Sequence, residues 1–194
     1  MSATIDCTVL CICTGNICRS PAAERLLAAR LGPTVRVSSA GTRAIVGWSI
    51  AGPMVARLRQ AGLPTVRFAA RQLQASMVAE ADLVLAMSRG HRAEAVRLAP
   101  ETAERSFTLL EFARLIELLR PEDLPGDTPG ERLRSAVPVV DRMRRAVRGR
   151  DDIADPFGGS SRAYQRAYVE IDRAVTAICV AVGAAVPTPE ITWD

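Results

Sequence analysis

The stretch from Val9 to Arg25, VLCICTGNICRSPAAER, limits what this chain can fold into more than any other. An apolar run ends at Cys13. A short loop of Thr14, Gly15, Asn16, Ile17 and Cys18 follows, then Arg19, Ser20 and Pro21, and then a helical pattern with Ala22, Ala23, Leu26 and Leu27. This reads as strand, tight loop, helix. Pro21 suits a first helical turn, where its missing N–H is not needed. A loop this short can wrap one small anion, because its N–H groups and those of the helix start have no partners of their own.

A thiol at the front of such a loop implies chemistry. An ordinary Cys ionises near about 8.5, and a helix N-terminus with a nearby Arg lowers that by several units. Cys13 is therefore expected to be a thiolate at neutral pH. Arg19 can hold two oxygens of a phosphoryl group in its planar fork. The donors that stabilise the thiolate are the ones that would hold the phosphate.

A phosphate ester also needs an acid to protonate its leaving oxygen. The Gly-rich segment DDIADPFGGSS offers Asp151, Asp152 and Asp155. The residues alone do not choose firmly among them. Asp155 is favoured because Pro156 restricts the backbone before it.

CTGNICRSP resembles the signature loop of the low-molecular-weight protein tyrosine phosphatases, and the resemblance runs from Ile5 to about Val182. It implies an α/β fold with a four-stranded parallel sheet, helices on both faces and the phosphate loop between strand 1 and helix 1. It implies Cys13 as nucleophile, Arg19 as phosphate ligand and Asp155 as general acid and base. Thr14, Gly15, Asn16, Ile17, Cys18, Arg19 and Ser20 would bind phosphate, with Asn16, Ser20 and Ser39 fixing the loop. The implied reaction is hydrolysis of protein phosphotyrosine through a phosphocysteine, with no metal and no cofactor. Phosphotyrosine proteins, a bacterial tyrosine kinase or its substrates would be the partners.

The sequence departs from the family pattern at several positions. Members often carry a His ahead of an Ala-Arg-Gln run, where it supports the loop; here Phe68 occupies that place. Ile17, Ile45 and Phe157 are expected to wall the cleft. Arginine phosphatases of similar fold carry Thr at the place of Ile17, so a branched apolar side chain there favours an aromatic ring over a guanidinium. Phosphoarginine is the second substrate class. Arsenate reduction is disfavoured, because no Cys lies between Cys18 and Cys179 to relay electrons.

Four of the five Cys lie between Cys7 and Cys18, which argues against a disulfide scaffold and for a reducing cytoplasm. Cys7, Cys11 and Cys179 read as core, and Cys18 as a redox partner able to capture an oxidised Cys13. A net charge of +4 suits an anionic substrate without implying nucleic acid. No long uncharged apolar stretch suggests membrane insertion, and the N-terminus lacks a signal-peptide pattern.

The remaining pattern alternates strands and helices, which implies a parallel sheet. Strands are expected at Ile5 to Ile12, Val35 to Ser38, Leu83 to Met87 and Glu104 to Phe107, with Ser39 to Thr42 as a turn. Ser88 reads as an N-cap for a helix from Arg89 to Leu98. The lone His91, in its polar first turn, reads as a surface residue without a catalytic part. Leu109 to Leu119 and Ala163 to Val182 read as amphipathic helices. One phosphatase domain over residues 1–194 is expected, with an atypically long basic segment at about 121–150 and a short tail from Pro187. Residues Pro121 to Gly130 read as loop. A helix from Glu131 to Arg148 is expected to kink or start late at Pro138. Its Arg142, Arg144, Arg145, Arg148 and Arg150 read as a solvated face, with docking of an acidic or phosphorylated partner as the functional alternative.

Overall fold

A computed structural model describes residues 4–145 and 148–185. Four strands form one parallel sheet: β1 (Cys7–Cys13), β2 (Val35–Gly41), β3 (Leu83–Ala86) and β4 (Ser106–Thr108), in the order β2-β1-β3-β4. Parallel strands need crossovers, and the helices that supply them cover both faces of the sheet. That is why β1 is apolar at nearly every position. Cys7, Val9, Cys11 and Cys13 face the larger core, formed with α1 (Arg19–Leu31), α2 (Gly52–Gln60), α5 (Leu109–Ile116) and α7 (Ser161–Ala181). Leu10 and Ile12 alternate onto the other face, against α3 (Ala75–Ala79) and α4 (Arg89–Leu98).

Strand ends differ from the sequence pattern because pairing, not hydrophobicity, sets them. Ser39 to Gly41 are not a turn: they stay in β2, in register with Cys11 to Cys13. β4 starts two residues later than the pattern suggests, at Ser106, which pairs with Val84. Ser88 caps α4 as expected, its side chain accepting the His91 N–H.

The segment after α5 is more ordered than a plain loop. A 3-10 turn spans Pro121–Asp123, and α6 runs over Pro129–Met143 from a capping box of Thr128 and Glu131. Pro138 does not delay this helix. It and Arg134, whose carbonyl loses its partner, both lie on the exposed side, where water can satisfy that oxygen. Arg144 is not part of a solvated face. Its guanidinium stacks 3.7 Å over the Phe107 ring and donates to the Ser106 and Ala103 carbonyls at 2.9 and 3.0 Å. Arg150 pairs with Glu170 at 2.5 Å, while Arg142, Arg145 and Arg148 are exposed. The tail from Pro187, and residues 146–147 of the helix expected from Glu131 to Arg148, lie outside the described residues.

Candidate active site

The loop after β1 is shaped by the segment after β2. The carbonyls of Cys13, Thr14, Gly15 and Ile17 accept from the N–H groups of Thr42, Arg43, Ile45 and Ala51 at 2.8 to 3.1 Å. With its carbonyls turned outward, the loop keeps N–H groups for its interior. Those of Gly15 to Cys18 have no hydrogen-bond partner among the described residues. The approach is close enough to require Gly41, since a Cβ there would lie 2.4 Å from the Thr14 carbonyl oxygen. Asn16 takes the left-handed conformation, φ 54°, which Asn tolerates better than most residues.

Asn16 is fully buried and uses its whole amide. Nδ2 donates to Ser20 Oγ at 3.0 Å and to Ser39 Oγ at 2.8 Å, and Oδ1 accepts the Arg71 N–H at 2.8 Å. Ser20 Oγ lies 2.9 Å from Cys13 Sγ. Either atom can donate in that contact, and since the Ser20 oxygen also accepts from Asn16, the hydroxyl ties the sulfur to the buried network. Ser39 in turn donates to Glu24 Oε2 at 2.5 Å. Glu24 therefore ends the chain of hydrogen bonds, while Phe68 packs under the Arg25 guanidinium, 5.8 Å from its ring centre. Support for the loop runs through Glu24, a residue that the sequence pattern did not single out. Its signal was its place on α1, one turn beyond Ser20.

Arg19 is 4% exposed. Nη1 donates to the Ile153 carbonyl at 3.0 Å, Nη2 pairs with Asp155 Oδ2 at 2.5 Å, and Nε is buried with no partner among the described residues. The three Asp residues before α7 are sorted by their neighbours. Asp151 pairs with Arg114 at 2.8 Å, and Asp152 accepts the Arg89 N–H at 2.7 Å. Asp155 alone of the three lines the cavity, half exposed, its Oδ1 accepting the Phe157 N–H at 3.2 Å. Ile153 anchors the segment, donating its N–H to Met87 at the end of β3.

These elements enclose a cavity of about 190 Å³. Cys13, Cys18, Arg19 and Asp155 line it, and Ile17, Ile45 and Phe157 form its apolar walls. Burial pushes the Cys18 thiol up to about 12, against a hydrogen bond with Tyr164 that lowers it. Burial also raises Cys7, Cys11 and Cys179, all fully enclosed in the core.

His91 is not a surface residue. It is 9% exposed, with Nε2 2.9 Å from Thr14 Oγ1 and Nδ1 2.8 Å from Ser88 Oγ. Burial lowers it to about 4, helped by the positive Arg19 and Arg43 and opposed by Asp155 and Asp152, so the ring is neutral at pH 7. Its polar neighbours in sequence hid this. The available signal was its position just past β3, at the end of a parallel sheet where sites form.

A family model for the low molecular weight phosphotyrosine protein phosphatases matches residues 8–125. The chain belongs to this phosphatase family. It is 36% identical over 114 residues to the Escherichia coli low molecular weight protein-tyrosine-phosphatase Etp, covering 59% of this chain and 76% of that one. It is 33% identical over 167 residues to a protein-arginine-phosphatase of Geobacillus stearothermophilus, covering 84% and 88%. Among solved structures, the Erwinia amylovora tyrosine phosphatase AmsI superposes with a TM-score of 0.68 at 26% identity, over 93% of this chain and 95% of that one. The four-stranded parallel sheet, with its loop after β1, is thus the fold of this hydrolase family. The family-model match ends at residue 125, so Asp155 stands in the site on geometry alone.

Proposed function

We propose that this protein hydrolyses protein phosphotyrosine, with Cys13 as nucleophile, Arg19 as phosphate ligand and Asp155 as general acid and base. The observation that carries the reading is the convergence of these three side chains on one cavity with unpartnered loop N–H groups and apolar walls. In the first step Cys13 Sγ attacks phosphorus in line, the bond to the phenolic oxygen breaks, and Asp155 gives that oxygen a proton. The buried Nε of Arg19 and the inward N–H groups of Thr14 to Ser20 hold the equatorial oxygens as charge develops. In the second step water attacks the phosphocysteine, Asp155 takes its proton, and the Ser20 hydroxyl stabilises the departing sulfur. Asp155 pairs with Arg19, so a phosphoryl group entering the loop competes with this carboxylate and turns it toward the leaving oxygen.

The chain is read as one phosphatase domain, since α7 packs against α1, α2 and α5 to close the main core. Tyrosine-phosphorylated proteins, such as a tyrosine kinase or its targets, are the proposed partners and the cytoplasm the proposed location. No helix of the described residues is long and apolar enough to cross a membrane.

Phosphoarginine is a second reading, favoured by the named arginine phosphatase relative. Against it stands Ile17, 3% exposed and lining the cavity with a hydrocarbon surface that would leave a guanidinium without a partner. The test is kcat/KM on matched phosphotyrosine, phosphoserine and phosphoarginine peptides. Phosphotyrosine should be fastest, and an enzyme faster on phosphoarginine would reverse the assignment.

A further inference from the structure

Beside the phosphate cavity lies a second, polar groove of about 410 Å³, lined by Thr14, Thr42, Arg43, Ser88, His91 and Glu94 among others. Thr14 and Arg43 line both cavities, so the two are joined at the rim of the nucleophile loop. We propose that this groove is a substrate-specificity subsite, in which Arg43 takes the carboxylate or phosphoryl group of a residue adjacent to the phosphotyrosine. The proposal rests on the phosphotyrosine reading above.

The charges around the groove single out Arg43. Its backbone is fixed, the N–H donating to the Thr14 carbonyl at 3.0 Å, yet the residue is exposed and its guanidinium has no ion pair among the described residues. The other charges at or near the groove are occupied. Glu94 is held by Arg97 through two hydrogen bonds at 2.8 and 2.9 Å. Arg92 donates to the Ser106 carbonyl at 2.7 Å, and Asp152 accepts the Arg89 N–H. An anion entering the groove therefore meets Arg43, a lining cation with no ion pair among the described residues, next to the reaction centre.

The floor of the groove supplies a further donor. Ser88 Oγ accepts the backbone His91 N–H at 3.3 Å and lies 2.8 Å from Nδ1, while Nε2 lies 2.9 Å from Thr14 Oγ1. In the tautomer protonated at Nε2, the ring donates to Thr14 Oγ1 and the Thr14 hydroxyl hydrogen is free to reach a ligand. Geometry fits a neighbouring residue of the same peptide. A phosphotyrosine entering the loop leaves its backbone across the rim, and consecutive Cα atoms are about 3.8 Å apart. The next side chain thus falls at the rim itself, where Arg43 stands.

The experiment measures kcat/KM on phosphotyrosine peptides that differ only in the flanking residue: Glu, Gln, Lys or phosphoserine, placed before or after the tyrosine. The parent should favour Glu over Gln by about three- to tenfold at low salt, the preference shrinking as salt rises. A larger gain for phosphoserine than for Glu would identify the second phosphate as the intended anion, and the reverse a carboxylate. In Arg43→Gln the ratio of Glu to Gln peptides should fall to about one, and in Arg43→Glu the Lys peptide should become the better substrate. An unchanged ratio in both variants, or no preference in the parent, overturns the subsite while leaving phosphotyrosine hydrolysis standing. A parent that turns over phosphoarginine and no phosphotyrosine peptide overturns both.

Discussion

Replacing His91 by Gln tests the way the third strand end is tied to the nucleophile loop. The imidazole is buried between Thr14 and Ser88 and lowered to about 4 in the folded protein, against 6.5 for a free side chain. A base whose folded pKa is depressed binds fewer protons folded than unfolded between those two values. Its stability contribution is complete above pH 6.5 and is lost as pH falls toward 4. Integrating that difference gives a loss of about 2 kcal/mol by pH 5 and about 3 kcal/mol by pH 4. The groups facing the ring set the sign: burial and the Arg19 and Arg43 charges oppose protonation more than Asp155 and Asp152 favour it. Urea unfolding of parent and variant at pH 7, 6 and 5 isolates this part, because acid effects on carboxylates are common to both. At pH 7 His91→Gln should cost about 1 kcal/mol, the worth of a lost hydrogen bond. By pH 5 the variant should have closed that gap and overtaken the parent. Parallel stability curves across this range would show that His91 is not held neutral by its surroundings, and the reasoning would fail.

The ion pair between Arg19 and Asp155 makes Asp155→Asn a two-sided test: kcat should fall about 10²- to 10⁴-fold, most on poor leaving groups, while inorganic phosphate binds more tightly. Leaving-group dependence equal to the parent's would show that another group is the acid. Ser39→Ala leaves one Asn16 donor and the Glu24 carboxylate without their partner and should destabilise the protein by about 1–3 kcal/mol, read from denaturant unfolding, with Glu24→Gln milder. Ile17→Thr should narrow the margin of phosphotyrosine over phosphoarginine in kcat/KM; an unmoved margin would mean that this wall does not select the substrate. Cys18→Ser should recover less activity than the parent after peroxide and then thiol, since Cys18 shares the cavity with Cys13, and equal recovery would exclude a protective disulfide.

Local pattern carried the parts of this protein that depend on neighbours in sequence. The apolar run, the Gly and Asn of the loop and Pro21 are enough to place strand, loop and helix, and with them Cys13 and Arg19. The 3.6-residue periodicity from Tyr164 onward is enough to place α7. These features follow from backbone sterics, orphan N–H groups and burial of one face, all of which act within a few residues. Pairings across the sequence decided the rest. Three Asp residues in one short segment look alike until Arg114, the start of α4 and Arg19 each claim one. His91 and Arg144 read as solvated because charged neighbours surround them in sequence, whereas Thr14 and the Phe107 ring meet them in space. Ser39 reads as a turn until Cys11 pairs with it and Glu24 takes its hydroxyl. Each of these assignments turns on the free energy of desolvating a polar group with or without a partner, and the partner is brought only by the packing of distant elements.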